Sequence, residues 1–301
     1  MLVGIWGAGA LGLLFAAKLS LVCSVVVITR TEEQAAVIRS EGIWLEGEGA
    51  PYRNMKAISI PDLTHGAAGW TAPDYIMLMV KQGVIDEPLL ELIRERSSST
   101  TKVICFQNGI GHEHQLRRVL GEEQVVLAVT TEGAKRLAIN KVAHTGAGIT
   151  SLEDGQKKCG FMLEKAGFEI SLSKNMDTRV WSKLIMNSVI NPLTAVLKKR
   201  NGELLLSPYT QPLMLALYQE GVTVAEALHI EIPDDLWTTL QEVCQRTANN
   251  HSSMLQDLMN ERATEIDHIN GSLLRIAEQH QLELPFNQVF YQLVKAMEIS
   301  R

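Results

Sequence analysis

Up to about residue 172 the chain alternates short, continuous apolar runs with amphipathic stretches. The runs at 2–6, 24–29, 75–80, 103–106 and 125–129 are rich in β-branched residues. Apolar residues without alternation are what strands covered on both faces require, so each is predicted to be a buried strand. Helical spacing predicts helices between them, over 10–20, 32–40, 87–96 and 113–119. Strand–helix alternation of this kind points to a parallel, doubly wound sheet. The segment 42–60, with Gly47 and Gly49, reads as an irregular β-hairpin inserted into that pattern, and a strand at 168–172 closes it. Beyond residue 175 the character changes. Asp177 is placed to cap a long helix over 178–198, and almost everything after it reads as helix. The expected division is an α/β domain at 1–174 and an all-α domain at 175–301.

The first turn carries chemistry. Gly7, Ala8, Gly9, Ala10, Leu11 and Gly12 follow the first strand directly and open the first helix. Glycines at these spacings allow a tight turn, close approach of a pyrophosphate and close helix–strand packing, the mark of a Rossmann-type dinucleotide site. The helix N-terminus adds unpaired N–H groups and positive dipole. At the end of the second strand, where an NAD enzyme usually places an acid, this chain has Arg30. A guanidinium there suits a 2′-phosphate, which favours NADPH. Glu32 and Glu33 come next, but Thr31 and Gln34 are spaced as a capping box, which makes those glutamates first-turn helix charges. Lys81 and Asn108 follow two further strands, at the end where ligands bind in such sheets, and are expected to reach the cofactor.

A second constellation lies on the long helix. At about 100° per residue, Lys183, Asn187 and Asn191 share one face, with Thr194 between them, while the other positions are rich in Trp, Leu, Ile, Met and Val. A helix this apolar should be buried, so a lysine and two asparagines on one stripe need polar partners or a wet cleft. Pro192 cannot donate to the carbonyl of Ser188 and should disturb the helix beside that stripe. Further polar clusters occur at 249–257 and 264–271.

Composition narrows the choices. The chain has 301 residues, 46% of them hydrophobic, with 28 basic against 34 acidic side chains and a net charge of −6. No basic stripe of the kind a nucleic-acid binder carries is present. The apolar runs fall far short of the roughly 20 residues needed to span a bilayer, and no basic n-region opens the chain, so a cytoplasmic protein is expected. Cys23, Cys105, Cys159 and Cys244 are scattered, without a paired spacing, and read as reduced thiols. The eight histidines show no metal-ligand spacing; none of the readings calls for a metal.

Taken together, these motifs resemble the ketopantoate reductase (2-dehydropantoate 2-reductase) family almost end to end. The resemblance rests on 7–12, Arg30, Lys81, the run 107–111, the pattern from Trp181 to Thr194, the segment 201–204, and the runs 252–257 and 264–271. It implies NADPH-dependent reduction of a small 2-keto acid, ketopantoate, on the route to pantothenate and coenzyme A. It implies Lys183 as general acid, with Glu265 completing the catalytic pair. Asn187, Asn191, Asn201, Asn250 and Ser253, together with Lys183, would hold substrate. Gly7, Ala8, Gly9, Ala10, Leu11, Gly12, Arg30, Lys81, Asn108 and Ala134 would contact cofactor. Three rivals remain: an NADP-dependent reductase of another 2-keto acid, an NADPH-binding redox sensor without turnover, and a purely structural or interaction module, which would not need an arginine aimed at a 2′-phosphate. No nucleic acid or membrane partner is expected, and the apolar helical domain offers a face that a homodimer could bury.

Overall fold

The computed structural model describes residues 1–66 and 69–299. Contacts divide them into two units, one of residues 1–107 and 112–176, the other of residues 108–111 and 177–301.

The first unit is built on an eight-stranded sheet. Its strands are β1 (Leu2–Trp6), β2 (Ser24–Thr29), β4 (Lys56–Ser59), β5 (Tyr75–Leu78), β6 (Lys102–Cys105), β7 (Val125–Thr130), β10 (Ile149–Glu153) and β11 (Glu169–Ser173). They lie in the order β11-β10-β7-β6-β5-β1-β2-β4. From β4 to β7 every pairing is parallel, and β10 then turns antiparallel to β7. Val3, Ile5, Ile76, Val103 and Ile104 are wholly buried, as strands covered on both faces must be. The helices include α1 (Ala10–Leu19), α2 (Glu32–Glu41), α3 (Ile60–Thr64), α4 (Glu87–Arg96), α5 (His112–Leu120) and α6 (Lys157–Lys165). Phe15 of α1 stacks on Phe168 at 4.1 Å between ring centroids and meets Phe106 edge-on at 5.2 Å, which fixes the helix against the sheet.

The segment 42–60 is not a hairpin. Its first arm, β3 (Trp44–Leu45), joins a separate three-stranded sheet with β8 (Gly133–Arg136) and β9 (Lys141–Gly146), in the order β3-β9-β8. Its second arm is β4, which extends the main sheet parallel to β2. An isolated bridge, Ile43 to Tyr52, joins the two arms. The small sheet packs on α1.

The second unit is helical: α7 (Met176–Leu197), α8 (Thr210–Ala227), α9 (Leu236–Arg246), α10 (Ser253–Met259), α11 (Asn270–Gln279) and α12 (Pro285–Ile299). Asp177 falls inside the first turn of α7 rather than capping it. Trp181, Leu184, Ile185 and Val189 of α7 are buried and anchor the apolar cores of the unit. Among the described residues no helix is long and apolar enough to cross a membrane.

The turn from β1 to α1 is tolerant of nothing but glycine at its key positions. Gly7 sits at φ +111°, and a Cβ there would lie 2.9 Å from the backbone of Met79 and Val80. A Cβ on Gly12 would lie 1.8 Å from the Gly7 carbonyl oxygen. Gly12→Ala should therefore lower the stability of the protein by about 1–3 kcal/mol, the usual cost of overpacking. Urea unfolding that leaves the midpoint unchanged would contradict this close packing.

Candidate active site

Two sets of polar groups emerge, one in each unit. In the first, Gly9 is the N-cap of α1, with no side chain capping the helix and no acidic residue in its first turn. A Cβ added at Gly9 would meet nothing within 4 Å. The loop thus presents open space before uncapped N–H groups, the shape and charge a pyrophosphate needs. Arg30 follows β2 and is exposed, with no hydrogen bond or ion pair to a described residue. Thr29, fully buried, donates from Oγ1 to the Thr31 carbonyl at 2.8 Å and so bridges the turn that carries Arg30. Lys81 is exposed and opens the short 3-10 turn after β5. The glycine loop, Arg30 and Lys81 therefore stand at the same ends of three neighbouring parallel strands. Ala134 is on β8, half-buried beside the core that includes α1. Such a set fits a dinucleotide.

The capping box forms only in part. Thr31 accepts from the Gln34 backbone N–H, as expected. The Gln34 side chain does not reach back. It is buried, and its Nε2 donates to Ala8 O at 2.9 Å and to Ile139 O at 2.7 Å, which ties the glycine loop to the β8–β9 turn. Glu32 pairs with Arg39 as a helix-surface charge. Gln107 does similar work at the end of β6, donating to Leu78 O at 2.7 Å and Val80 O at 3.0 Å.

The second unit holds the lysine. Lys183 projects from α7 with a half-buried side chain, and its pKa is pushed down to about 8 because burial disfavours the charged form. The negative charge of Glu265 works against that fall. Asn187, half-buried, and Asn191, nearly fully buried, follow on the same face, and neither side-chain amide hydrogen-bonds a described residue. The stripe thus combines an ionisable amine with two amides that are uncommitted among the described residues.

Glu265 is held from several sides. Asn108 donates from Nδ2 to Glu265 Oε2 at 2.9 Å, which is why residues 108–111 belong with the helical unit. The expected boundary near 174 did not include that loop. On one side of Glu265, Thr264 donates from N and Oγ1 to Glu298 at 2.8 and 2.7 Å. On the other, Asp267 accepts from Tyr291 at 2.7 Å and Lys295 at 3.0 Å. Three residues of α12 therefore clamp the segment that presents Glu265.

The remaining expected substrate residues are placed differently. Asn201 is buried and partly committed: its N–H donates to Asn250 O at 3.0 Å and its Nδ2 to Thr247 Oγ1 at 2.8 Å, while its Oδ1 is buried without a partner among the described residues. Asn250 and Ser253 are exposed. The neighbour Ser252 is the buried one; it caps α10 and accepts from Thr194 of α7 at 2.7 Å. In the run of two serines only the first has a side-chain hydrogen bond among the described residues, and spacing alone does not separate them. The thiols are free, and burial pushes those of Cys159 and Cys244 up to about 12.

Comparison with known proteins identifies the family. The family model for ketopantoate reductase PanE/ApbA matches residues 3–157, and the model for its C-terminal part matches residues 175–298. The chain is 34% identical over 304 residues to a 2-dehydropantoate 2-reductase of Bacillus subtilis (strain 168), covering 99% of this chain and 98% of that one. A PanE/ApbA family ketopantoate reductase from Ralstonia eutropha JMP134 superposes with a TM-score of 0.90 at 25% identity, over 100% of this chain and 99% of that one. D-mandelate dehydrogenase, solved with NADH and anilino(oxo)acetate, is equally similar, with the same TM-score, identity and coverage.

Removing the charge at position 265 tests the electrostatics directly. In Glu265→Gln the Lys183 pKa should fall below its value of about 8, because the group that raises it is gone. NMR titration of the lysine side chain reads this without any ligand, and an unchanged midpoint would refute it. The sign for stability follows: between about pH 8 and the ordinary lysine value the unfolded chain binds more protons, so the Lys183 contribution to stability rises with pH there.

Proposed function

The chain belongs to the ketopantoate reductase family of oxidoreductases, and from that premise we propose that it reduces ketopantoate to pantoate with NADPH. The observation that carries this reading is Lys183, tuned to about 8 beside Glu265 and in line with the uncommitted amides of Asn187 and Asn191. A lysine with that pKa can both hold and give up a proton near neutral pH, as a general acid must.

The loop from Gly7 to Gly12 would hold the pyrophosphate, Arg30 the 2′-phosphate, and Lys81, Asn108 and Ala134 the nicotinamide half of NADPH. When bound, that cofactor supplies the hydride that adds to the ketone carbon. The carbonyl oxygen then gains negative charge, which the Lys183 ammonium stabilises before giving it a proton to form the hydroxyl. Asn187 and Asn191 orient the keto acid, with Asn201, Asn250 and Ser253 as further contacts to its carboxylate and hydroxyl. Glu265 keeps the lysine protonated in the resting state. Asn108, already bonded to Glu265, fixes that carboxylate's orientation. A polar set so matched to proton donation also supports an enzyme over a sensor, which has no use for a tuned lysine.

A second reading is favoured by the similarity to D-mandelate dehydrogenase: reduction of a bulkier, aromatic 2-keto acid, with NADH. Arg30 supports NADPH over NADH. Following NADPH oxidation with ketopantoate, and in parallel with phenylglyoxylate and with NADH, decides between them. Turnover confined to phenylglyoxylate would reject ketopantoate, and binding of NADPH without any turnover would restore the sensor.

Lys183→Ala should lower kcat by roughly 10²–10⁴-fold, the usual share of general acid–base catalysis, and wild-type kcat for reduction should decline as pH rises through about 8. Arg30→Met should weaken NADPH binding by roughly tenfold or more, the worth of a charge-assisted hydrogen bond, with NADH affinity nearly unchanged. Fluorescence titration of each cofactor checks the second, and equal losses for both would remove Arg30 from the 2′-phosphate.

A further inference from the structure

Pro192 lies inside α7, four residues after Ser188, and has no N–H to give that carbonyl. The helix nevertheless runs from Met176 to Leu197. The Ser188 carbonyl is not orphaned: Asn270, the first residue of α11, donates to it from Nδ2 at 2.9 Å. The same nitrogen donates to Asn287 Oδ1 at 2.9 Å, so both amide hydrogens are used. Asn287, on α12, donates in turn to Glu220 Oε2 at 2.8 Å, and the two oxygens of Glu220 accept the backbone N–H groups of Phe286 and Asn287, each at 2.8 Å. Ser188, Asn270 and Asn287 are all fully buried.

The position of this link matters more than its strength. Ser188 lies between Asn187 and Asn191 and five residues beyond Lys183, and Asn270 lies five residues beyond Glu265. The amide therefore joins the backbone of the lysine's helix to the segment that presents the lysine's counter-charge. Asn270 Oδ1 is itself buried without a partner among the described residues. Burying an unpaired acceptor is costly, so a side chain used only to fill space would be better apolar.

We infer that Asn270 is a positioning residue, which supplies the N–H that Pro192 withholds and thereby fixes the Lys183 face of α7 against Glu265. This rests on the assignment of Lys183 as proton donor, and the first measurement is chosen to be independent of any substrate. In ligand-free protein, NMR titration of Lys183 should show its pKa lower in Asn270→Ala than in wild type, because Glu265 is no longer held beside it. Pro192→Ala in the Asn270→Ala background returns a backbone N–H to the Ser188 carbonyl but not the link between the two segments, so the Lys183 titration should stay shifted. A role confined to satisfying that carbonyl would be answered by the second substitution.

With ketopantoate and NADPH, Asn270→Ala should lower kcat roughly ten- to a hundredfold, the effect of a small misplacement, with KM for NADPH unchanged and no recovery of kcat in the double variant. A Lys183 titration unmoved in folded Asn270→Ala, or a shift that Pro192→Ala reverses, would overturn the inference. If Asn270→Ala does not fold, Pro192→Ala is compared with the double variant. A lower Lys183 value in the double variant is then expected, and equal titrations, or its failure to fold, overturn the inference. A wild-type enzyme that ignores ketopantoate would count against the proposed substrate alone, because the titration stands apart from it.

Discussion

The second unit is organised around a lysine held close to neutrality. Burial pulls the Lys183 pKa down, Glu265 pulls it back, and the balance lies at about 8. Neither influence works without precise placement, because electrostatic interaction at short range changes steeply with distance in a poorly hydrated site. Much of the surrounding structure serves that placement. The apolar positions of α7, including Leu184, Ile185 and Val189, bury the helix and so desolvate the lysine. The α12 side chains Tyr291, Lys295 and Glu298 hold the short segment on either side of Glu265. Their hydrogen bonds keep Lys295 firmly charged and the carboxyl groups of Asp267 and Glu298 below their ordinary values. The ionic work of α12 is therefore spent on geometry near the Glu265 carboxylate.

The first unit achieves its preparation by subtraction. Gly7 and Gly12 are needed because backbone already occupies the space their side chains would enter, while Gly9 leaves open space at the start of α1. A side chain capping that helix would compete with a phosphate for the same N–H groups. The loop is stiffened from below, by the buried amide of Gln34 on the Ala8 carbonyl, so that its exposed side stays free.

How far the amino-acid pattern disclosed all this depends on the range of the interaction. Strands buried on both faces announce themselves locally, and β1 and β2 lie where continuous β-branched runs placed them. The small sheet was missed because β8 and β9 carry mixed residues such as Lys135, Arg136, His144 and Thr145, whose face is set by α1 rather than by their own periodicity. The two arms of 42–60 were read as one hairpin because pairing partners far along the chain leave no local mark. The stripe of Lys183, Asn187 and Asn191 was visible since helical spacing and an apolar background define it. Choosing between Ser252 and Ser253, by contrast, required knowing that Thr194 stands opposite one of them. Gln34 shows a related effect: its spacing from Thr31 signalled a cap, but a buried amide finds stronger use on two distant carbonyls. The resemblance to a known family supplied roles for isolated residues such as Glu265 and Ala134, which no spacing rule would have singled out.

The choice of asparagine beside Lys183 has its own logic. A keto acid needs partners for a carboxylate and for polar oxygens, and a cation or an acid on the stripe would bind or orient it strongly. Either would also act on the lysine. An aspartate at 187 or 191 would add to the pull of Glu265 and return the ammonium toward its ordinary, high pKa, where it gives up a proton reluctantly. A second cation would push the lysine toward its neutral form and remove the proton before it was needed. Neutral amides supply donors and acceptors without moving that balance. On the proposed assignment, the face that orients substrate can thus be polar while the titration of Lys183 is left to a single carboxylate, itself held by neutral Asn108.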